Sequence, residues 1–469
     1  MSTPDEASGP RGRLPLWVKF GYGGTEWSNS LIWTFYYALF LYFMTDIVRL
    51  GAVFAGTVIA IGTVWNAVFQ PLVGVWSDGV RSRWGRRRPF LLAVAAPYAV
   101  VSWLLFTDWG LGTTLTKLYF VIIVLAYFTC YTLLNVPYGA LAAEMTQDYD
   151  ERTSLNIWRT GAAQIAALMG GALPLVLAGV FENVGGSAGF GWSAAAAVLG
   201  FISIFGILLT WRVTRGYELF PEDTRVALRD VLGTLRNRSF RYLIGLYAFG
   251  WAPVSVLGAV AIYFARYQMG YTEAYSSVVL LVWFASGMLW LPLVTFSSRR
   301  IGKRWTYIWF VAFWAVVQMA FLLVHSGSSV LLYALLVLSS GGSMAVAVIG
   351  WALLADVTDV EEYTSGQRRE GIYYGVIAFV QTGMAALVVQ GSGLVLGWTG
   401  YQADVAQSST ALWGIRLLIS VGAVIPMLLG IVFCYLMPLT RAKHAALLAA
   451  TRAKTAGEPV DAESLRGIV

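Results

Sequence analysis

Apolar residues run along this chain in twelve long blocks, each separated from the next by a short polar or charged stretch. A helix needs about 20 mostly apolar residues to cross a bilayer. The blocks at 24–47, 54–76, 90–107, 116–143, 158–181, 191–212, 241–265, 275–297, 305–325, 330–356, 372–398 and 411–437 have that character. The pattern predicts an all-α membrane protein with twelve transmembrane helices. The first residues, "MSTPDEASGPRGR", are polar, and the apolar run behind them is long enough to span. A cleavable signal peptide is therefore not expected.

The blocks repeat. "ALAAEMTQDYDERT" (140–153) closes the fourth and "ALLADVTDVEEYTS" (352–365) closes the tenth. Aligned without gaps, Ala140 meets Ala352, Leu141 meets Leu353, Glu144 meets Asp356 and Thr146 meets Thr358. The second and eighth blocks likewise both run into basic loops, "RSRWGRRR" and "SSRRIGKRW". Two six-helix bundles repeated in parallel are the signature of the major facilitator architecture. The expected domains are an N-terminal bundle (1–213), a linker (214–239), a C-terminal bundle (240–437) and a tail (438–469). Within the linker, "VALRDVLGTL" reads as a short amphipathic helix on the membrane surface.

Composition agrees with this. The 469 residues are 58% hydrophobic and only 12% charged, against about 25% charged in soluble domains. The net charge of +7 comes from arginines and lysines gathered in alternate loops. Arg81, Arg83, Arg86, Arg87 and Arg88 follow the second block, and Arg299, Arg300, Lys303 and Arg304 follow the eighth. The positive-inside rule then puts both termini in the cytoplasm. It also assigns the charge to topology rather than to nucleic acid. The two cysteines, Cys130 and Cys434, fall inside apolar blocks and read as buried thiols. The two histidines, His325 and His444, lie at a helix end and in the tail. No metal cluster, nucleophile–base pair or phosphate loop is apparent, so no enzyme, metal or cofactor is expected. Gly170, Gly171, Gly341 and Gly342 read as close helix packing.

A few polar residues interrupt the blocks. Asn66 and Gln70 share a helix face, as do Tyr131, Thr132 and Asn135. A buried amide is costly unless hydrogen-bonded. These residues either glue helices together or line a neutral cavity that suits sugar hydroxyls, which donate and accept as amides do. Trp33, Trp158, Trp351 and Tyr131 supply ring faces with polar handles. Glu26 lies one turn from Ser30. With Asp46 at the outer end of its block it is read as interfacial, with a proton-binding role as the alternative. Arg416 lies early in the twelfth block.

Four stretches carry a resemblance. They are "KFGYGGTEWSNSLIWTFYYALFLYFMTDIV", "WNAVFQPLVGVWSDGVRSRWGRRRPF", "YTLLNVPYGALAAEMTQDYDERTSLNIWR" and "ADVTDVEEYTSGQRREGIYYGVIAFVQTG". Together they resemble the glycoside–pentoside–hexuronide:cation symporters, the family of the melibiose permease, over nearly the whole chain. The basic loop at 81–88 is also similar to that of plant sucrose transporters. The resemblance implies alternating access between two bundles, with sugar and cation bound near the midplane.

The resemblance also marks departures. The family's two cation-binding carboxylates fall on Asn66 and Gln70. Its sugar-binding carboxylates fall on Ser30 and Asn135, and its lysine of the eleventh helix falls on Gln381. Tyr131 and Thr132 are kept, and Arg159, at the start of the fifth block, falls where a family arginine lines the site, an anchor at the cytoplasmic end being the alternative. The resemblance thus implies a substrate site of Ser30, Tyr131, Asn135, Arg159 and Gln381, to which the aromatic reading adds Trp351, and a cation or coupling position at Asn66, Gln70 and Thr132, to which the charge reading adds Glu26. Amides do not titrate near neutrality, and sodium prefers anionic oxygens. Asp78, Arg86, Arg87, Glu144 and Asp356 match the family's charged helix ends and are expected to gate. The expected function is a secondary transporter for a neutral glycoside, its partners being a sugar, the lipid bilayer and a proton or sodium ion. An exporter or flippase of an amphipathic molecule, and a sensor on a transporter scaffold, are the alternatives.

Overall fold

A computed structural model describes residues 14–146, 149–217, 233–365, 370–403 and 405–456. Among them there is no strand, and twelve helices are long and apolar enough to cross a membrane. The chain divides into two compact units, 1–223 and 224–469. Residues 226–232, most of the expected linker helix, lie outside the described residues, as do Arg368 and Arg369.

The first unit contains α1 (Leu16–Tyr42, continued by a π-helical turn to Ile47), α2 (Ala52–Gly79), α3 (Arg88–Leu105), α4 (Thr113–Met145), α5 (Tyr149–Gly185) and α6 (Ala188–Val213). Helix α1 packs on α5 and α6, α3 on α4 and α6, and α2 on α4. Small residues set the closest of these approaches. A Cβ added at Gly170 on α5 would collide with the Leu31 carbonyl of α1, which is the packing role expected of that glycine.

The second unit contains α7 (Arg238–Tyr263), α8 (Glu273–Ile301), α9 (Lys303–Met319), α10 (Ser329–Ser365) and α11 (Glu370–Trp398). The twelfth span is α12 (Ser409–Leu417), a π-helical turn and α13 (Ala423–Leu436), and α14 (Arg441–Ala456) follows it. Helix α7 packs on α11 and α13, α9 on α10 and α13, and α8 on α10. Each of these pairings has its counterpart in the first unit, so the sequence repeat is a repeat of packing. Gly341 and Gly342 on α10 face the rings of Trp290 and Trp314.

Two helices begin earlier than the apolar pattern indicates. Helix α1 starts at Leu16 rather than 24, and α5 at Tyr149 rather than 158. The reason is one buried ion pair: Lys19 Nζ lies 2.9 Å from Glu151 and 3.0 Å from Ser154 Oγ. A scan for apolar runs stops at these charges, whereas the fold neutralises each with the other and lets both helices continue.

Candidate functional site

Helix α1 carries Glu26, Asn29, Ser30, Trp33 and Tyr37. Their spacing of three and four residues places them on one face, and α2, α4 and α5 supply the partners. Asn29 Nδ2 donates to Asn135 Oδ1 at 3.1 Å, and Asn135 Nδ2 reaches Tyr131 OH at 3.4 Å. The Trp33 ring stacks on Tyr131 with centroids 4.7 Å apart. One turn further along, Tyr37 OH lies 3.2 Å from Thr63 Oγ1 of α2. Asn29 was not anticipated. Its neighbour Ser30 drew notice through the family, while the mark of Asn29 was only an amide inside an apolar run.

Helix α2 adds the two amides of the expected cation position. Asn66 is 1% exposed. Its Oδ1 accepts from Thr132 Oγ1 at 2.7 Å and from Gln70 Nε2 at 3.3 Å. Among the described residues its Nδ2 has no partner, and neither has the Oδ1 of Asn29. Buried amide atoms are normally paired, so one donor and one acceptor stand uncommitted on this surface. Gln70 directly precedes Pro71, and Asn135 lies two residues before Pro137, both inside their helices. Proline removes a rung of the backbone ladder and frees a carbonyl four residues back. The neutral side chains therefore stand beside extra acceptor capacity. Such a surface can hydrogen-bond hydroxyls without binding a charge.

The one charged pair of the cluster sits beside it. Arg159 Nε lies 2.5 Å from Glu26 Oε2, and Ser30 Oγ donates to Glu26 Oε1 at 3.4 Å. The Arg159 guanidinium also lies over the Tyr138 ring, 5.2 Å from its centroid. Tyr138 is stacked on Tyr22, and its hydroxyl donates to the Tyr22 carbonyl at 3.0 Å. One expectation changes: Arg159 does not stand at a helix start. With α1 beginning at Leu16, Glu26 lies about 15 Å along its helix at about 1.5 Å per residue, and Arg159 is similarly deep in α5.

The structure thus gathers Glu26, Ser30, Asn66, Gln70, Tyr131, Thr132, Asn135 and Arg159 in the first unit. Trp351 and Gln381 belong to the second. Trp351 is 40% exposed and stacks on Tyr374 at 5.6 Å, with Tyr247 at its edge. Gln381 is half-buried on α11.

The charged helix ends form a clamp in each unit. Arg87, the N-cap of α3, donates from Nε to Glu144 Oε1 at 3.0 Å and from Nη1 to Ser77 Oγ at 2.5 Å, with Arg86 3.6 Å from the same carboxylate. Lys303, the first residue of α9, bonds both Asp356 oxygens at 2.6 and 2.8 Å. The acids that the sequence repeat aligns therefore hold the base that opens the third helix of their own unit. The Asp78 side chain lies outside the described residues. In the second unit His444 of α14 joins the clamp, 2.9 Å from Asp359 and 3.7 Å from Asp356. Its hydrogen bond to Asp359, with the charges of both acids, raises its pKa above the usual histidine value against burial and Lys303. The ligand atoms of Asp356, Asp359 and His444 are close enough to share a metal ion, but the Lys303 ammonium already occupies both oxygens of Asp356.

Several known proteins resemble this chain. The uncharacterized symporter sll1374 of Synechocystis sp. is 27% identical, over 92% of this chain and 96% of its own length. The glucuronide carrier protein homolog of Escherichia coli (strain K12) is 30% identical, over 90% and 92%. Among solved structures, a bacterial homolog of the human lysosomal transporter Spinster, inward-facing and occupied, superposes with TM-score 0.70 at 13% identity, over 92% of this chain and 97% of that one. The nucleoside transporter NupG superposes with TM-score 0.63 at 11% identity, over 89% and 98%. These superpositions establish the fold. The family model for MFS/sugar transport proteins matches residues 21–441, and the chain belongs to that family, as the resemblance to the glycoside–pentoside–hexuronide symporters implied.

Proposed function

We propose that this membrane transporter moves a glycoside or related sugar together with a cation, by alternating access. The observation that carries the reading is the polar face of α1, α2 and α4, where Asn29 bonds Asn135 and Thr132 bonds Asn66, beside the stacked rings of Trp33 and Tyr131. Sugars offer hydroxyls that donate and accept, and an apolar ring face that stacks on aromatics. The names of relatives point the same way: a glucuronide carrier homolog, a putative glycoside/cation symporter and a putative sulfoquinovose importer. Neither the flippase nor the sensor alternative draws comparable support.

In this reading Ser30, Tyr131, Asn135 and Arg159 of the first unit contact the sugar. Asn66, Gln70 and Thr132 occupy the former cation position as a neutral extension of the sugar site. Arg86, Arg87 and Glu144 in one unit, and Asp356 in the other, fix helix ends so that each unit moves as a body, and Asp78 belongs with the first set. The basic loops support a topology with both termini in the cytoplasm of a bacterial inner membrane.

Reconstituted vesicles provide the test. Counterflow is measured with radiolabelled methyl β-D-galactoside, methyl β-D-xyloside and methyl β-D-glucuronide. The reading expects exchange of at least one, inhibited by excess unlabelled sugar. Absence of exchange with every glycoside, from protein that is folded and inserted, contradicts it.

A further inference from the structure

If the chain is a cation-coupled sugar transporter, its coupling position needs a group that can carry charge. Asn66 and Gln70 cannot titrate. Among the described residues of the twelve spans, the acids are Glu26, Asp46, Glu182 and the group at 356–362. Asp46, Glu182 and the 356–362 group lie toward the ends of their helices. Glu26 alone is in contact with the polar face, through Ser30 Oγ at 3.4 Å.

We propose that Glu26 is the proton-binding site of this transporter, and that Arg159 is the counter-charge it exchanges with substrate. The proposal rests on the sugar-transport reading and names its cation. The pair is partly open, with side-chain exposures of 15% for Glu26 and 30% for Arg159, so water and substrate can reach it. The ionisable groups facing Glu26 are Tyr22 on its own helix, Tyr98 of α3, Tyr131 and Tyr138 of α4, and Arg159 of α5. Helix α2 carries no ionisable residue from Ala52 to Ser77. Four phenols and one guanidinium therefore surround the carboxylate, and the guanidinium is its only cationic neighbour among them.

That arrangement makes proton and pairing alternatives. While Arg159 holds Glu26, both are charged and each compensates the other. When sugar oxygens take the forked donors of the guanidinium, Glu26 is left among aromatic rings without a counter-ion. Burial disfavours a lone charged carboxylate, and a proton from the water-filled side neutralises it. Arg159 stays protonated throughout, so one proton enters with each sugar. When the sugar leaves on the other side, Arg159 returns to Glu26 and the proton is released there. Removing one partner of a buried pair leaves the other in need of neutralisation, and the cycle uses that penalty to couple the two ligands. Ser30 stands between them, bonded to Glu26 at the position where the family binds sugar.

Infrared difference spectroscopy of reconstituted protein between acid and alkaline pH tests the pair without any sugar. Arg159→Gln is expected to show the carbonyl stretch of a protonated carboxyl group at a higher pH than wild type does. Wild type should lack it at that pH, and it should disappear in Arg159→Gln/Glu26→Gln. Absence of the band there in Arg159→Gln, or its persistence in the double variant, overturns the proposal. A second arm uses whichever of the three methyl glycosides exchanges. In vesicles one pH unit more alkaline inside, wild type should accumulate it up to about tenfold above the level reached without a gradient, the limit for one proton per sugar. Glu26→Gln should give the same level with and without the gradient. Gradient-driven accumulation in Glu26→Gln also overturns the proposal. Absence of exchange in wild type counts instead against the sugar reading and leaves the infrared result to judge the pair.

Discussion

Asn29 and Asn135 join α1 to α4 through a single amide hydrogen bond, Nδ2 to Oδ1 at 3.1 Å. The bond uses one acceptor of Asn135 and leaves the Asn29 oxygen uncommitted. Both side chains remain equipped for a ligand while orienting each other, as a preformed sugar site requires. The same economy holds at Asn66, where one oxygen satisfies two donors.

Because these positions are neutral, sodium is not expected to drive transport. Its hydration is replaced well only by several oxygens, preferably anionic, and Asn66, Gln70 and Thr132 offer amide and hydroxyl oxygens already engaged with one another. Uptake into vesicles with and without an imposed sodium gradient should be little changed. A large sodium-dependent accumulation would refute this account of the α2 site.

The two clamps should differ in weight. The Arg87 and Glu144 side chains are almost fully buried, whereas Lys303 is 35% exposed. Breaking a buried pair by removing one partner costs about 3–5 kcal/mol and an exposed one about 0–1 kcal/mol, and the part-buried Lys303 pair falls between them. Glu144→Gln should therefore lower the melting midpoint in a fixed detergent clearly more than Asp356→Asn. Equal shifts would show that burial does not set their contributions.

The His444 contact predicts a pH dependence confined to α14. Its pKa is raised in the folded protein. The contact is therefore fully present below the ordinary histidine value of about 6.5, and is lost as pH rises through the higher folded value. Amide hydrogen exchange in α14, corrected for the intrinsic effect of pH, should accelerate relative to α10 across that window. In His444→Gln the difference should vanish. An unchanged ratio in wild type would mean that the helix is held by other contacts, such as Lys454 to the Tyr363 carbonyl at 2.9 Å.

Gly170 offers a packing test. A side chain there meets the Leu31 backbone, which cannot swing away, whereas nothing lies within 4 Å of a Cβ at Gly179 on the same helix. Overpacking costs about 1–3 kcal/mol. Gly170→Ala should lower the melting midpoint and Gly179→Ala should not; the reverse order would contradict the α1–α5 contact.

Much of this was legible in the chain itself. Twelve apolar runs gave the helices, and the aligned Glu144 and Asp356 announced a repeat that the structure expresses as matching clamps. What stayed hidden were pairings between distant residues. Lys19 and Glu151 each look like a helix end in isolation, and only the fold reveals that they neutralise one another. For the same reason the pairing of Glu26 with Arg159 was not visible when each was judged alone. Asn29 and His444 carry no periodic or motif signal, and their partners lie 106 and 85 residues away. Charge and hydropathy along a chain report the cost of burying a group, not the partner that offsets it.

The most direct measurement is the affinity of purified Asn135→Leu for the glycoside that wild type transports, determined by calorimetry alongside its melting midpoint. Leucine removes the acceptor that orients Asn29 and the donor that reaches Tyr131, leaving buried polar groups unpaired, which costs about 1–3 kcal/mol for each group. The account predicts a folded protein whose affinity falls by about 10–100-fold, since each 1.4 kcal/mol is a factor of ten. Wild-type affinity in a folded Asn135→Leu would make the residue helix packing, and would contradict an amide-lined sugar site on α1, α2 and α4.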